Sequence, residues 1–333
     1  MMNQGMDITK NPVCNLVRGE RVCGKWHQNE YVIRRLLGHG ATGAVYLAES
    51  KAGPAALKIG HDSMSIISEV NVLKAFSRVQ GIVLGPSLID VDDWNSTNSR
   101  FPFYVMEYLK GENVFEFLGG HGPEWLGIIM LQLINNLQKL HEAGWVFGDL
   151  KPDNLLVTGP PYQIRWIDVG GTTQLGRSVK EYTEFFDRGY WGLGSRVAEP
   201  SYDLFAAAMV MINTAYPARF QKKSEPSKQL QEAVRRSVKL QPYEKMLTKA
   251  LHQKYKTAEE MKRDLLIALQ PAGRPSMVKP SPKKTAAPKP KPVPPHNSRS
   301  VRRKKKRSWA VDTLLWLTFF FVLYFFYMIG QTM

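Results

Sequence analysis

The chain has 333 residues, 44% of them hydrophobic and 22% charged, which is enough for a buried core and excludes wholesale disorder, a collagen-like class and a disulfide-dense class. A net charge of +16 suggests a polyanion binder until the charge is located: residues 1–270 carry 32 basic against 28 acidic side chains, while 271–308 carry 13 basic and no acidic ones. The folded part is nearly neutral.

Cys14 and Cys23 form neither a CxxC nor a Cys/His ligand spacing, so no zinc site or disulfide framework is expected and a reduced, cytosolic setting is. The opening MMNQGMDITK has no apolar core ahead of a cleavage site, so no secretory signal is expected. Residues 1–30 read as an N-terminal extension. Tyr31–Leu37, Ala44–Glu49 and Ala55–Ile59 are strand-like, Ser65–Phe76 has apolar residues at helical spacing, and Phe103–Tyr108 is strand-like again. After Gly111 the texture turns helical, with Trp125–His141, Tyr202–Thr214, Lys228–Leu240 and Thr257–Leu269 as predicted helices. A β-rich front half and a helical back half predict two lobes in an α+β domain.

The chemistry concentrates at four places. Gly38, Gly40 and Gly43 form a GxGxxG between two strand-like runs, followed by Val45; a Rossmann turn has the same spacing but leads into a helix, whereas AVYLAES continues as strand. The next strand ends in AALK and places Lys58 where it can bind nucleotide phosphates, with Glu69 on the following helix as its partner. Taken singly, each would be an ordinary solvated charge. Asp149, Lys151 and Asn154 lie in GDLKPDN, and Asp168-Val169-Gly170 follows nineteen residues after Asp149. Phosphoryl transfer needs a carboxylate to orient the attacking hydroxyl, a cation to offset phosphate charge, and oxygen ligands for Mg²⁺. Asp149 and Lys151 supply the first two, and Asn154 and Asp168 the metal ligands. Leu155–Val157 and Gln163–Ile167 alternate like a hairpin that returns Asp168 to the end where Asn154 lies.

On these motifs, residues from about Tyr31 to Leu269 resemble a Hanks-type protein kinase of the Ser/Thr branch, given Lys151 in DLKPDN. The resemblance implies a two-lobed protein-kinase-like fold over 31–270, with an N-lobe at about 31–108 and a C-lobe at about 112–270. It implies an ATP-dependent serine/threonine phosphotransferase acting on protein substrates, with Mg²⁺ (or Mn²⁺). FYVMEYLKG resembles the hinge, with Met106 as gatekeeper and Glu107 to Leu109 presenting backbone to adenine. SYDLFAAAMVM resembles the central helix of the C-lobe, with Asp203 holding the catalytic-loop backbone.

There are departures. Phe147-Gly148 stands where His-Arg is usual, so a phosphorylated activation segment lacks its arginine partner. Val169 replaces the usual Phe, no APE is recognisable near Gly192-Leu193-Gly194, and the lead from Lys58 to Glu69 is short. No catalytic group is missing. The alternative, a pseudokinase or nucleotide-binding membrane scaffold, normally lacks one. Thr172, Thr173, Ser178 and Thr183 are candidates for autophosphorylation in trans through self-association.

The composition changes at Pro271. Nine prolines and 13 cations make 271–308 an expected disordered, extended linker, and WAVDTLLWLTFFFVLYFFYMI at 309–329 is long and apolar enough to be an expected transmembrane helix. RRKKKR just before it keeps the kinase domain cytoplasmic by the positive-inside rule, leaving 330–333 as an external tail at the cell membrane. The linker reads as a spacer, as an anionic-lipid contact, or, from SPKK and AAPKPKP, as a duplex-DNA binder resembling histone-like tails. The whole plan resembles that of sporulation-associated bacterial kinases.

Overall fold

The computed structural model describes residues 16–40, 42–77, 84–96 and 99–270. The linker, transmembrane helix and external tail expected at 271–333 lie outside these residues, as does the first half, 1–15, of the expected extension. Among the described residues, no helix is long and apolar enough to cross a membrane.

The N-lobe is a six-stranded antiparallel sheet of β1 (Arg21–Cys23), β2 (Glu30–Gly40), β3 (Gly43–Ser50), β4 (Gly53–Ile59), β5 (Leu88–Ser96) and β6 (Ser99–Glu107), in the order β1-β2-β3-β4-β6-β5. Because β1 pairs with β2 through Val22↔Tyr31, residues from 21 onward belong to the lobe and not to a separate extension. The inward residues of the alternating strands, including Ile33, Tyr46, Leu57, Ile59 and Phe103, form its core. Strand β6 begins four residues earlier than Phe103. Pro102 is tolerated because β4 ends opposite Phe103: the Pro102 carbonyl still accepts from the Gly60 amide at 3.1 Å, but no strand residue beyond Ile59 needs the missing N–H.

One helix packs on this sheet. Only Gly60, His61 and Asp62 separate β4 from α1 (Ser63–Phe76), and Asp62 caps it by accepting from the Met64 and Ser65 amides at 3.1 and 2.9 Å. Ile66, Glu69, Val70, Leu73 and Phe76 share its buried face at helical spacing. A glutamate on the face turned to the core must find a partner there.

Past the hinge come β7 (Gly111–Asn113), α2 (Val114–Gly120), α3 (Glu124–Glu142), β8 (Trp145–Val146), β9 (Leu155–Thr158), β10 (Gln163–Trp166) and β11 (Thr173–Gln174). The helices α4 (Pro200–Ala215), α5 (Pro226–Arg236), α6 (Glu244–Leu251) and α7 (Ala258–Ala268) complete the C-lobe. The helix expected over Lys228–Leu240 ends at Arg236, where Ser237 turns to an extended conformation. Helix α4 is buried from Tyr202 to Asn213 on every side, as a helix without a polar face must be, and Asp203 is the acid it carries into the core.

Candidate active site

The cleft between the lobes has a volume of about 620 Å³. Gly38, Gly40, Gly43 and Val45 line it from the β2–β3 hairpin, Lys58 from β4, Glu107 and Leu109 from the hinge, and Asp149, Lys151, Asn154 and Asp168 from the C-lobe. Ala56 and Leu156 add apolar walls from β4 and β9 that the sequence motifs did not single out. Of the three hairpin glycines, Gly43 is the one the backbone itself demands: its φ is +146°, and a Cβ there would lie 2.1 Å from the Ile59 carbonyl oxygen. Nothing crowds Gly38 or Gly40, which face the cleft.

Glu69 does not line the cleft but stands behind it. The Lys58 ammonium lies 2.8 Å from its Oε1 and 2.7 Å from its Oε2, with both residues buried. Glu107 turns its side chain away from the cleft, where Oε2 accepts from Arg165 of β10 at 3.0 Å and from the Ser87 amide at 3.1 Å. Burial alone would raise the Glu107 carboxyl, but these donors hold it below its ordinary value. The hinge is thus clasped from the C-lobe, leaving the backbone of Glu107 to Leu109 along the cleft.

Strands β9 and β10 pair with Leu155 opposite Trp166, and the Ile167 amide donates to the Asn154 carbonyl at 3.2 Å, so Asn154 and Asp168 do meet at one end of the hairpin. Asn154 Nδ2 donates to the Asp149 carbonyl at 2.8 Å, which leaves its Oδ1 without a donor of its own. Asp168 accepts the Gly170 amide on Oδ1 at 2.9 Å, and its other oxygen is uncommitted. Two hard oxygens converging on one cleft fit a divalent cation of the Mg²⁺ type. Lys151 Nζ lies 2.5 Å from Asp149 Oδ2. Thr183 donates to Asp149 Oδ1 at 2.9 Å, and Lys151 donates to the same hydroxyl at 3.2 Å. Glu181 also lines the cleft, its carboxyl raised by partial burial and by Asp168 against the opposing pull of Lys58.

With this geometry in view, residues 31–281 match the protein kinase domain family. The chain belongs to the protein kinase family. It is similar to the serine/threonine-protein kinase YabT of Bacillus subtilis, at 51% identity over 276 residues covering 82% of this chain and 81% of that one. It is also similar to the serine/threonine-protein kinase Pkn1 of Myxococcus xanthus, at 31% identity over 141 residues, 40% of this chain and 19% of that protein. Among solved structures, the PknI kinase domain of Mycobacterium tuberculosis matches with a TM-score of 0.53 at 18% identity, covering 76% of this chain and 99% of that one. Vaccinia related kinase 3 matches with a TM-score of 0.57 at 15% identity, covering 78% and 95%. At those identities the likeness is one of fold, and the family and YabT matches make this a serine/threonine protein kinase domain.

The kinase builds its departures from the family pattern into alternative contacts. Asp203 accepts from the Phe147 and Gly148 amides at 2.8 and 3.0 Å and lies 2.9 Å from His141 Nε2, so the catalytic loop hangs from α4. Gly148 has φ +85°, and a Cβ there would sit 2.5 Å from the Gly171 carbonyl oxygen, so the loop and the turn after Asp168 touch backbone to backbone. Phe147 packs on Trp166 at 4.7 Å, and Trp166 on Phe76 of α1 at 5.6 Å, an aromatic column from helix to catalytic loop.

In place of a recognisable APE, two ion pairs, each with one fully buried and one partly exposed partner, tie residues 187–199 together. Arg188, fully buried, donates to Glu199 at 2.7 Å, Ser201 at 2.7 Å, Gln253 at 2.9 Å and the Ser195 carbonyl at 2.6 Å. Asp187, also fully buried, accepts from Arg196 at 2.9 Å, Tyr202 at 3.0 Å and the Gly189 and Tyr190 amides at 3.0 and 2.8 Å. Of the expected phosphorylation candidates, Thr172 and Thr173 are buried and Thr183 is engaged with Asp149, which leaves Ser178 as the exposed one.

Proposed function

We propose that the kinase transfers the γ-phosphate of ATP to serine and threonine hydroxyls of other proteins, with distinct tasks for the residues of the cleft. Asp149 orients the acceptor hydroxyl, Lys151 offsets charge on the phosphate in transit, and Lys58, steadied by Glu69, aligns the α- and β-phosphates. Asn154 and Asp168 are the residues that would hold Mg²⁺ (or Mn²⁺), which when bound neutralises phosphate charge. The hairpin glycines cover the phosphates, and the backbone of Glu107 to Leu109 receives the adenine. The observation that carries this reading is Thr183, a threonine hydroxyl already 2.9 Å from Asp149 Oδ1 and 3.2 Å from Lys151 Nζ. The pair has the spacing to hold an alcohol between base and cation.

The reading extends to the tail. The uncharged run 313–329, preceded by RRKKKR, supports anchorage at the inner face of the cell membrane. The 13 cations and nine prolines of 271–308, without one acid or aromatic residue among them, support binding of duplex DNA along its phosphates. A duplex that gathers several anchored copies raises their local concentration and favours trans-autophosphorylation. The likeness in plan supports a role in sporulation.

The test uses the full chain in detergent, with γ-phosphate transfer to a generic basic protein measured against added duplex and against anionic vesicles. Transfer is expected without either, to rise at intermediate duplex and to fall at excess, with affinity dropping steeply in salt. Replacing the linker cations by Gln should remove the stimulation and leave the basal rate near normal. Absence of basal transfer would overturn the enzymatic assignment; stimulation by vesicles that duplex does not compete away would give the linker to lipid instead.

A further inference from the structure

We propose that Tyr104 is a positioning residue for the phosphate-binding pair, its hydroxyl holding the Glu69 carboxylate where that carboxylate can keep the Lys58 ammonium in place. The inference rests on the reading of Lys58 and Glu69 given above.

The register of the sheet makes this contact. Lys58 on β4 and Tyr104 on β6 are direct cross-strand partners, so their side chains leave the same face of the sheet side by side, and that face is the one α1 covers. Glu69 comes down from α1 between them. Tyr104 Oη donates to Glu69 Oε2 at 2.7 Å, the oxygen that also lies 2.7 Å from Lys58 Nζ. The tyrosine is 2% exposed, the glutamate 3% and the lysine 6%, so water does not stand in for a missing donor. Burial first, then the charges of Glu69 and Asp168, push the phenol well above its ordinary value, and Tyr104 remains a donor throughout the working pH range.

The consequence is that α1 is fastened to two strands. A lysine alone is a flexible tether: its long stem would let Glu69 and the helix drift outward while the pair stayed joined. The phenol hydroxyl sits on a rigid ring locked in the core, and a carboxylate receiving it has one place to be. When phosphates draw on the third ammonium hydrogen of Lys58, the hydroxyl keeps Glu69 from following. Phenylalanine at 104 would preserve the packing and remove only this donor.

The experiment compares the full chain with Tyr104→Phe, Tyr104→Met, Glu69→Ala and the Tyr104→Phe/Glu69→Ala double variant. Two readouts are used: amide hydrogen exchange of 63–76 without nucleotide, and the Kd for ATP with Mg²⁺. Tyr104→Phe should speed exchange in 63–76 by roughly tenfold while β3 and α4 exchange as before, and should weaken nucleotide binding by roughly tenfold, the scale of one charge-assisted hydrogen bond. On the Glu69→Ala background the same change should add less than about twofold, because the tyrosine then has nothing to position. Tyr104→Met, unhydroxylated but apolar, should repeat the shift if Tyr104→Phe proves too unstable to purify. An equal loss in both backgrounds, faster exchange throughout the N-lobe, or unchanged exchange in 63–76 overturns the proposal. Unaltered nucleotide binding in Glu69→Ala with fast exchange in Tyr104→Phe would instead sink the phosphate-site reading and leave the tyrosine as a helix anchor only.

Discussion

Asp149→Asn should lower phosphotransfer by about 10²–10⁴-fold, the range for removing a positioned acid–base group, while ATP still binds with Mg²⁺. Asp149 holds hydroxyl and ammonium partners, Thr183 and Lys151, and asparagine can keep both near their places without a carboxylate's charge. Asp168→Asn should differ in kind. It reduces the charge of one of two oxygens offered to the metal, so metal-dependent nucleotide binding should weaken along with turnover. Titrating nucleotide with and without Mg²⁺ into both variants separates the roles, and equal binding defects in the two would show the assignment to be wrong.

A second large effect is expected where no substrate is bound at all. Arg188→Met removes a fully buried guanidinium and takes its hydrogen bonds from Gln253 and the Ser195 carbonyl, while Glu199, half exposed, turns to water. Losing the hydrogen bonds of a charged group costs about 1.5–3 kcal/mol, and at ~2–4 °C per kcal/mol in a domain of this size the melting temperature should fall by roughly 5–10 °C. The pair also has a signature in acid. The hydrogen bond from Arg188 holds the Glu199 carboxyl below its ordinary 4.5, with Ser201 adding to it against a smaller effect of burial. A group whose pKa is lowered by folding stabilises above its unfolded value and loses that stabilisation as pH falls through the folded one. The gap in melting temperature between the wild type and Arg188→Met should therefore be full above about pH 4.5 and narrow below it. A gap that stays constant into strong acid would mean that Arg188 acts through packing and its carbonyl contacts.

The parts of the cleft that could be read from the chain are those in which one residue type at one spacing has one chemical use. Lys58, Asp149, Asn154 and Asp168 are of this kind, and the hairpin between the last two follows from alternation alone. The parts that could not be read depend on partners far away in the chain. Strand β5, LIDVDDWNS, turns aspartates inward: Asp90 accepts from Tyr31 at 2.6 Å and Asn29 at 2.9 Å, and Asp92 accepts the Trp26 amide at 2.9 Å. Its buried face is thus polar, the reverse of the pattern that marks a strand. Arg188 and Asp187 look like adjacent surface charges until Glu199, Arg196 and Gln253 close around them. Thr183 is one hydroxyl among several in its segment, and Tyr104 one aromatic residue in an aromatic strand; register and fold, not composition, bring each to its carboxylate.

The contact between Gly148 and Gly171 bears on what could be engineered here. Restoring the family's usual arginine at 148 looks like a simple way to give this enzyme a phosphate-operated switch. The backbone at 148 is left-handed, and its first side-chain carbon would come within 2.5 Å of a carbonyl oxygen in the very turn that carries Asp168. Such a graft would displace the catalytic machinery before any phosphate could reach the new cation. A designed switch would have to recruit its cation from elsewhere, and Arg196, although 40% exposed and stacked over Tyr182 at 4.0 Å, is already committed to the buried Asp187 carboxylate.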